Sequence, residues 1–218
     1  MPDAVSTATL TFAPSELVVL FGDRFTPEAG LLASKEEVLT SGIKVNAQKL
    51  MDAAVGAAIW AVHRSGAARL ETRTGKALFG LMKTQKLHVV RGAGASAFPA
   101  GSLEAQVVDA SQSGPELQKF VEGYIGGETA DPSGRILGKI KAGMASRGLL
   151  EVVERKTMMV FTTADFVLPD ATRAAAGRES LDAVQSLLRD AEQREAELHR
   201  AVQKAIDGAR VAMTESRD

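Results

Sequence analysis

Cysteine is missing from this chain of 218 residues, and aromatic residues account for only 5% of it. Without cysteine the chain can form neither disulfide bonds nor a thiolate zinc site. The absence of cysteine also fits a reducing compartment. The three histidines, His63, His88 and His199, lie far apart in the sequence and lack the spacing of metal ligands. We therefore expect isolated surface or packed imidazoles, with no metal and no cofactor.

An excess of charge of one sign is missing as well. Lys and Arg number 26 against 27 Asp and Glu, so that the formal net charge is −1. A protein that binds a generic polyanion usually carries a clear positive excess. The composition therefore predicts no nucleic-acid partner, although it leaves room for a local basic patch.

Long hydrophobic runs are the third absence. No segment approaches the roughly 18 uninterrupted apolar residues that a membrane-spanning helix needs. The opening residues, Met1-Pro2-Asp3-Ala4, do not show the basic segment and apolar run of a secretory signal. We expect a cytoplasmic protein whose contact with a membrane, if it has one, is peripheral.

Motifs of nucleotide binding and catalysis are incomplete. The glycines at positions 92 and 94 follow a predicted strand, but Pro99 and Gly101 interrupt the helix that a dinucleotide fingerprint requires. Gly75-Lys76 is a fragment of a phosphate loop, and Ala77 has no hydroxyl group for magnesium. The sequence contains no Gly-x-Ser-x-Gly nucleophile elbow. We therefore expect a protein that is not an enzyme and has no catalytic residues.

Hydrophobic residues make up 45% of the chain, which is enough for a substantial core in one or two domains. Their spacing, together with helix start and stop residues, predicts a mainly α fold with a small β component. Strands are expected at 68–72 and 86–90, with a helical turn at 76–82 between them. The expected helices are a short one after Pro14 that ends near Gly22, and longer ones at 46–64, 102–110, 116–125 and 131–147.

A second pair of β-rich stretches, 149–154 and 157–163, predicts a β-hairpin that turns at Arg155 and Lys156. The predicted hairpin also contains a contiguous apolar run, consisting of Met158, Met159, Val160 and Phe161. A half-exposed strand would alternate, so continuous hydrophobicity means that both faces meet apolar partners. One interpretation is burial between two helical layers. The other is an exposed tip that enters a bilayer or a protein partner while the flanking cations meet lipid phosphates.

The C-terminal part, 180–213, has apolar residues at steps of three and four, a near-heptad spacing that is broken by Glu195. This pattern predicts a long amphipathic helix. Its seam is rich in alanine, and such a helix is marginal by itself in water. It therefore needs a partner surface, either its own domain or a second copy of the chain. We hypothesise self-association through the bulkiest residues of the seam, which are Leu181, Leu188, Leu198 and Val202.

Several short stretches, in this order and spacing, resemble the Golgi phosphoprotein 3 family in its bacterial form. The stretches are Thr9-Leu10-Thr11 with the leucine-rich 16–20, the helix and strand of 56–71, a helix at 102–110, Gly127-Glu128-Thr129, Arg147-Gly148-Leu149-Leu150, and the apolar 158–163. The resemblance covers 9–170. It implies one mostly helical domain with a projecting hairpin, followed here by the C-terminal amphipathic helix at 178–214.

The resemblance also implies that the domain binds phosphatidylinositol 4-phosphate in a basic pocket and acts as a membrane adaptor. The family site uses a tryptophan, an arginine early in the first long helix and two arginines on the helix before the hairpin. The corresponding positions fall near Asn46, on Val55, and near Gly134 and Leu137. Two cations lie close to the last two positions and share one helical face, and these headgroup-binding candidates are Arg135 and Lys139.

Our leading hypothesis is a non-enzymatic peripheral-membrane adaptor that binds phosphoinositide or other anionic lipid headgroups. The alternative is an oligomerising protein-interaction scaffold that binds no lipid, and burial of the apolar run in a sheet would favour it. A winged-helix nucleic-acid binder would share the order of helix and hairpin. It needs a basic recognition helix, which a neutral chain does not favour, although a contiguous positive groove would revive it.

Overall fold

The computed structural model describes residues 11–77, 82–94, 97–157 and 161–215. The helices in these ranges are α1 (Pro14–Leu20), α2 (Ala47–Ser65), α3 (Leu103–Ser111), α4 (Leu117–Ile125), α5 (Pro132–Ser146), α6 (Asp170–Ala176), α7 (Leu181–Arg194) and α8 (Ala196–Glu215). The strands are β1 (Lys35–Glu37), β2 (Lys44–Asn46), β3 (Ala68–Ala77), β4 (Met82–Arg91), β5 (Glu151–Thr157) and β6 (Phe161–Val167). The fold is mainly α with a minor β component, as the sequence predicts.

The central element is α2, which begins and ends close to the predicted positions. The Asn46 side chain caps its N-terminus by accepting a hydrogen bond from the Lys49 amide at 3.0 Å. Gly66 ends the helix with a φ of 73°, a left-handed conformation that is open to glycine. The small alanine side chains of α2 permit close approach, and α1, α3, α5, α7 and α8 all contact it. Trp60, the single tryptophan, is fully buried in the resulting core.

The helices between α2 and the last hairpin also follow the predicted positions. The Ser102 hydroxyl accepts a hydrogen bond from the Ala105 amide at 3.1 Å and caps α3. The Asp131 carboxylate accepts one from the Gly134 amide at 2.8 Å and caps α5, whose first residue is a proline. The predicted inward face of α5 is confirmed, since its members are all buried: Ile136, Leu137, Ile140 and Met144.

The strands of the described residues form three antiparallel hairpins, β1–β2, β3–β4 and β5–β6. The β3–β4 hairpin is longer than predicted, because Lys76 pairs with Lys83 and Ala77 pairs with Met82. The helical turn expected at 76–82 is therefore wrong at both of its ends, and 78–81 lie outside the described residues. A continued ladder pairs backbone groups that a separate turn would leave to solvent. The chain thus has a second long hairpin, where the sequence predicted only one.

The β5–β6 hairpin forms where the sequence predicts a hairpin, but its turn is not at Arg155 and Lys156. Both residues lie inside β5, where Arg155 pairs with Thr163 and Lys156 pairs with Thr162. The last described pair is Thr157 with Phe161. Two-residue hairpin turns need positive φ angles, which glycine and asparagine adopt readily and arginine and lysine do not. The ladder therefore continues past the two cations.

The C-terminal segment forms two helices, α7 and α8, in place of one continuous helix. The chain leaves the helical conformation at Glu195, with φ −128° and ψ 44°, the same residue that breaks the heptad spacing. Both helices pack on their own domain. Of the four bulky seam residues, Val202 is fully buried in the core, and Leu181, Leu188 and Leu198 pack against it partly buried. None of the helices in the described ranges is both long and apolar enough to cross a membrane.

Candidate functional site

Among the described side chains of the β5–β6 hairpin, only Phe166 packs against the hydrophobic core. The hairpin contacts the rest of the protein sparsely, whereas each of the other two hairpins packs on several elements. Near its base, Val152 is 55% exposed, Val153 41% and Val167 45%. Valine favours strands because its branched side chain packs on a half-buried sheet face, and here much of that surface meets solvent. The hairpin therefore offers apolar surface that the body does not cover.

The far end of this hairpin carries the predicted contact residues. Arg155, Lys156 and Phe161 lie in the described ladder, while Met158, Met159 and Val160 fall outside the described residues. These three residues lie between Thr157 and Phe161 in the sequence. Their insertion into a bilayer or a partner stays a prediction.

Arg135 and Lys139, the predicted headgroup contacts, occupy one face of α5 as expected. The Arg135 Nη1 donates to the carbonyl oxygens of Gly126 at 3.3 Å and Gly127 at 3.2 Å. The Lys139 Nζ donates to the Tyr124 carbonyl at 2.6 Å and lies 5.4 Å from the centre of the Tyr124 ring. Lys139 thus satisfies a carbonyl in the last turn of α4, and Arg135 satisfies those of the two glycines that follow the helix, where a positive charge complements the helix dipole. A headgroup would compete with these hydrogen bonds.

Two of the positions that correspond to the family's arginines hold apolar residues in this chain. Val55 and Leu137, which stand at or near two arginine positions, are buried in the hydrophobic core. A cleft of about 550 Å³ does open beside Gly134 and Gly138, between β1, α5 and β6. Its charged lining consists of Glu36, Glu37, Asp165 and Lys141. Lys141 is bonded to the Glu36 carboxylate, so the cleft is acidic and repels a phosphate.

Two buried carboxylates meet where α1 packs near α3. Glu104 accepts hydrogen bonds from the Ser15 amide at 2.7 Å and the Ser15 hydroxyl at 2.8 Å. Glu16 accepts from the Ala13 amide at 2.9 Å and forms an ion pair with Arg147. Burial raises the pKa of Glu104 to about 7, with the neighbouring Glu16 as a smaller cause, and burial also raises the pKa of Glu16.

Both carboxylates are fully shielded from solvent, so no substrate reaches them. They satisfy the first amides of α1 and fix it to α3 and to the end of α5. This pair could not be predicted from the sequence, because an acid in the first turn of a helix is ordinarily a solvent-exposed partner of the helix dipole.

Two of the three histidines come together around Trp60. The His63 ring lies 5.6 Å from the Trp60 ring, and the His199 ring is stacked 6.3 Å from it. Glu195, at the break between α7 and α8, lies 3.5 Å from His63 Nε2 and 2.7 Å from Arg64 Nη2. In the part of the chain that the structure describes, no three His, Asp or Glu side chains are arranged to hold a metal ion. The two imidazoles are packed side chains at the contact between α2 and α8.

A groove of about 540 Å³ opens beside His199, between α2, α7, α8 and the 3₁₀ turn Gly22–Arg24. Cationic side chains from three elements line it: Arg24, Lys49 and Arg189. The sequence does not predict this groove, because its lining comes from three distant stretches and no local spacing connects them. The packing of α7 on α2 is what brings them together.

In the comparison with known proteins, no family model and no curated protein matches the chain.

Proposed function

We propose that this protein is a non-catalytic adaptor that associates peripherally with anionic membranes through the β5–β6 hairpin. The observation that carries the proposal is the exposed apolar base of a hairpin that the helical body leaves uncovered. The sequence places four apolar residues, 158–161, at the far end of the same hairpin. An apolar loop at the end of a solvated ladder gains free energy when it enters the interfacial region of a bilayer.

The energetic scale is adequate for reversible binding. Fully burying side chains such as methionine, valine and phenylalanine contributes roughly 1.5–3 kcal/mol each, and partial insertion yields less. Arg155 and Lys156, which lie in β5 next to the tip, would each add about 1 kcal/mol near an anionic surface. A few apolar side chains and two cations suit a peripheral protein that binds and releases.

The proposal covers anionic headgroups in general. The cleft beside Gly134 is acidic, and Arg135 and Lys139 already bond the end of α4. A dedicated phosphoinositide pocket, which the resemblance to the Golgi phosphoprotein 3 family implies, finds little support at those positions.

Flotation with vesicles tests the proposal. Wild-type protein should float with phosphatidylcholine vesicles that contain phosphatidylserine or phosphatidylinositol 4-phosphate, and far less with phosphatidylcholine alone. Met159→Asp with Phe161→Asp should abolish flotation. The matched control is Leu31→Asp with Leu32→Asp, because these leucines are almost fully exposed outside the hairpin and the charge change is identical.

Circular dichroism on the hairpin variant completes the experiment. A wild-type protein that ignores anionic vesicles at low salt contradicts the proposal. Loss of the folded state in the Met159 and Phe161 variant would contradict it too, since the apolar run would then be part of the core.

A second candidate function rests on the two free edges of the same hairpin. Every hairpin in the described ranges is a two-stranded sheet, so β5 and β6 both present unpaired backbone groups. Such edges accept an added strand from a protein partner or a second copy. Light scattering over a concentration series tests self-association, and a chain that stays monomeric at high micromolar concentration excludes the second copy. An oligomer through Leu181, Leu188, Leu198 and Val202 would instead require residues that already contact their own core.

A further inference from the structure

The groove between α2, α7 and α8 gathers three cations that form no ion pair within the described residues, although the Asp52 carboxylate lies close enough to Lys49 to interact with its charge. Arg24 ends the 3₁₀ turn, Lys49 lies in the first turn of α2, and Arg189 lies on α7. Within the described residues, none of their terminal groups forms an ion pair or a hydrogen bond. Unpaired positive charge that converges on one concave surface marks a place for an anion.

The floor of the groove is apolar and aromatic. Phe25, Ala53 and Leu188 line it and are partly buried. The His199 ring lines the same groove and is stacked on Trp60. A ligand that reaches this floor would bury apolar surface as well as meet charge. Pockets for small molecules combine these two features, and a volume of about 540 Å³ lies within their usual range.

Polar atoms without partners complete the lining. His199 Nδ1 and Asp52 Oδ1 are buried, and neither has a hydrogen-bond partner in the protein. Burial, with Asp207 as a further cause, raises the pKa of Asp52 to about 6. Buried polar atoms normally find partners, so these two can accept or donate hydrogen bonds to a bound molecule. Asp52 and Glu192 also interrupt the positive charge, which does not suit the continuous backbone of a nucleic acid.

We propose that this groove binds a small anionic molecule in which a phosphate, sulfonate or carboxylate group stands beside an apolar or aromatic part. Arg24, Lys49 and Arg189 meet the anionic group, and Phe25 and Leu188 contact the apolar part. The site is independent of the membrane function proposed for the β5–β6 hairpin, because no described residue of that hairpin lines the groove.

A dye with this chemistry tests the groove directly. 8-Anilinonaphthalene-1-sulfonate carries a sulfonate on an aromatic system, and N-phenyl-1-naphthylamine is the same molecule without the charge. Trp60 is the single tryptophan and is stacked on His199, so energy transfer from its emission reports dye that is bound near Trp60, and the variants assign that dye to the groove. We expect saturable transfer with the charged dye and at least tenfold weaker binding of the uncharged one.

Charge-removing variants locate the site. Arg24→Gln with Arg189→Gln should weaken the charged dye about tenfold, the product of two partly solvated charge contacts. Arg178→Gln is the single-charge control, since Arg178 is exposed and outside the groove, and its affinity should stay within twofold of wild type. Equal binding of the two dyes, or an effect of Arg178→Gln as large as that of the double variant, would overturn the proposal.

A variant that gains affinity separates recognition from damage to the fold. At pH 8 the Asp52 carboxylate is ionised and opposes an anion in the groove. Asp52→Asn removes that charge and should tighten the charged dye about threefold while leaving the uncharged dye unchanged. A partly unfolded protein would not produce this pair of results. Weaker binding of the charged dye to Asp52→Asn would contradict the charge arrangement.

Competition and sedimentation experiments distinguish a soluble anionic ligand from a lipid headgroup. Displacement of the dye by sodium octanoate or glycerol 3-phosphate assigns a soluble ligand. Sedimentation with phosphatidylcholine and phosphatidylglycerol vesicles that falls in the Arg24 and Arg189 variant, and not in Arg178→Gln, assigns a lipid headgroup. If neither occurs, the groove takes no biological anion of this class and the proposal fails. The Met159 and Phe161 variant should bind the dye normally, so failure of the hairpin function is distinguishable.

Discussion

The β3–β4 and β5–β6 hairpins have the same antiparallel form but opposite relations to the helical body. The first packs on α2, α3, α4 and α8, and its inward residues, among them Leu87 and Val89, are buried. The Val89 amide also donates to the Pro115 carbonyl at 3.0 Å. The second hairpin leaves Val152 and Val153 in solvent. Apolar residues thus serve the core in one hairpin and form an accessible surface in the other.

The difference shows that strand composition by itself does not identify a functional surface. Each hairpin contains two consecutive valines in one strand, and each contains residues of both charges. What separates them is the number of helices that cover each one, which depends on contacts far away in the sequence.

The largest effect is expected from equivalent substitutions in the two hairpins. Val89→Asp buries an unpaired charge and should cost at least about 4 kcal/mol of unfolding free energy. Val152→Asp lies on exposed surface and should cost at most about 1 kcal/mol. Urea unfolding followed by circular dichroism measures both. Similar losses in the two variants would mean that the body covers β5–β6 in solution.

A pH effect is expected in the body that holds β3–β4, through the carboxylate pair of Glu16 and Glu104. Both folded pKa values are raised, that of Glu104 from 4.5 to about 7. The folded state therefore favours the protonated form, and this stabilisation is complete below the unfolded pKa near 4.5. It is lost as the pH rises through about 7, at a cost on the order of 2–3 kcal/mol.

The melting temperature should accordingly fall between pH 5 and pH 8, and Glu104→Gln should flatten that fall. The informative quantity is the slope against pH, because the glutamine also changes the hydrogen bonds to Ser15 at every pH. A matched control is Glu197→Gln, an exposed carboxylate on α8. An unchanged slope in Glu104→Gln would remove this pair as the source of the pH dependence.

Excision of the exposed hairpin should have a small effect on stability and a large one on binding. The flanking Leu150 and Leu168 are buried, and Glu151 pairs with Val167, so the two ends lie close together. Replacing residues 151–167 by two glycines spans that distance. We expect a melting temperature within a few degrees of wild type and no vesicle flotation. Retained flotation would move the membrane contact to another surface.

The smallest effect is expected from Arg135 and Lys139, whose side chains already form hydrogen bonds within the helical body. Arg135→Ala with Lys139→Ala removes the hydrogen bonds to the last carbonyls of α4 and should cost about 1 kcal/mol in total. Thermal melts measure this loss. Flotation with vesicles of phosphatidylinositol 4-phosphate and of phosphatidylserine shows whether the two residues have a second role. Equal binding to both lipids by the variant, where the wild type prefers the phosphoinositide, would assign them a headgroup contact.

Local features of the fold could be predicted from the sequence with good positional accuracy. Asn46 and Gly66 bound α2, and Ser102 and Asp131 begin α3 and α5, because capping depends on residues within three or four positions. The predicted turn at Arg155 and Lys156 is wrong, since neither residue identifies a turn type and the ladder continues at least to Thr157. The second long hairpin was missed where its ladder continues through residues with weak strand preference, such as Gly75 and Lys76.

The candidate sites were less accessible to sequence reasoning. The apolar hairpin tip could be proposed, because a continuous apolar run is a local signal. The cluster of Arg24, Lys49 and Arg189 could not be predicted, because these residues come together only when α7 packs on α2 and the 3₁₀ turn. Arg135 and Lys139 were correctly placed on one face of α5. Their hydrogen bonds to the end of α4 depend on a contact between two helices that no spacing encodes.

The positions of α1 to α5 and the caps of α2, α3 and α5 could be predicted from the sequence alone. Each of these follows from interactions between residues a few positions apart. The tertiary structure alone decided which hairpin is covered, which carboxylates are buried and which cations remain free for a ligand. Those outcomes depend on desolvation, and desolvation is set by the whole set of packed neighbours around an atom.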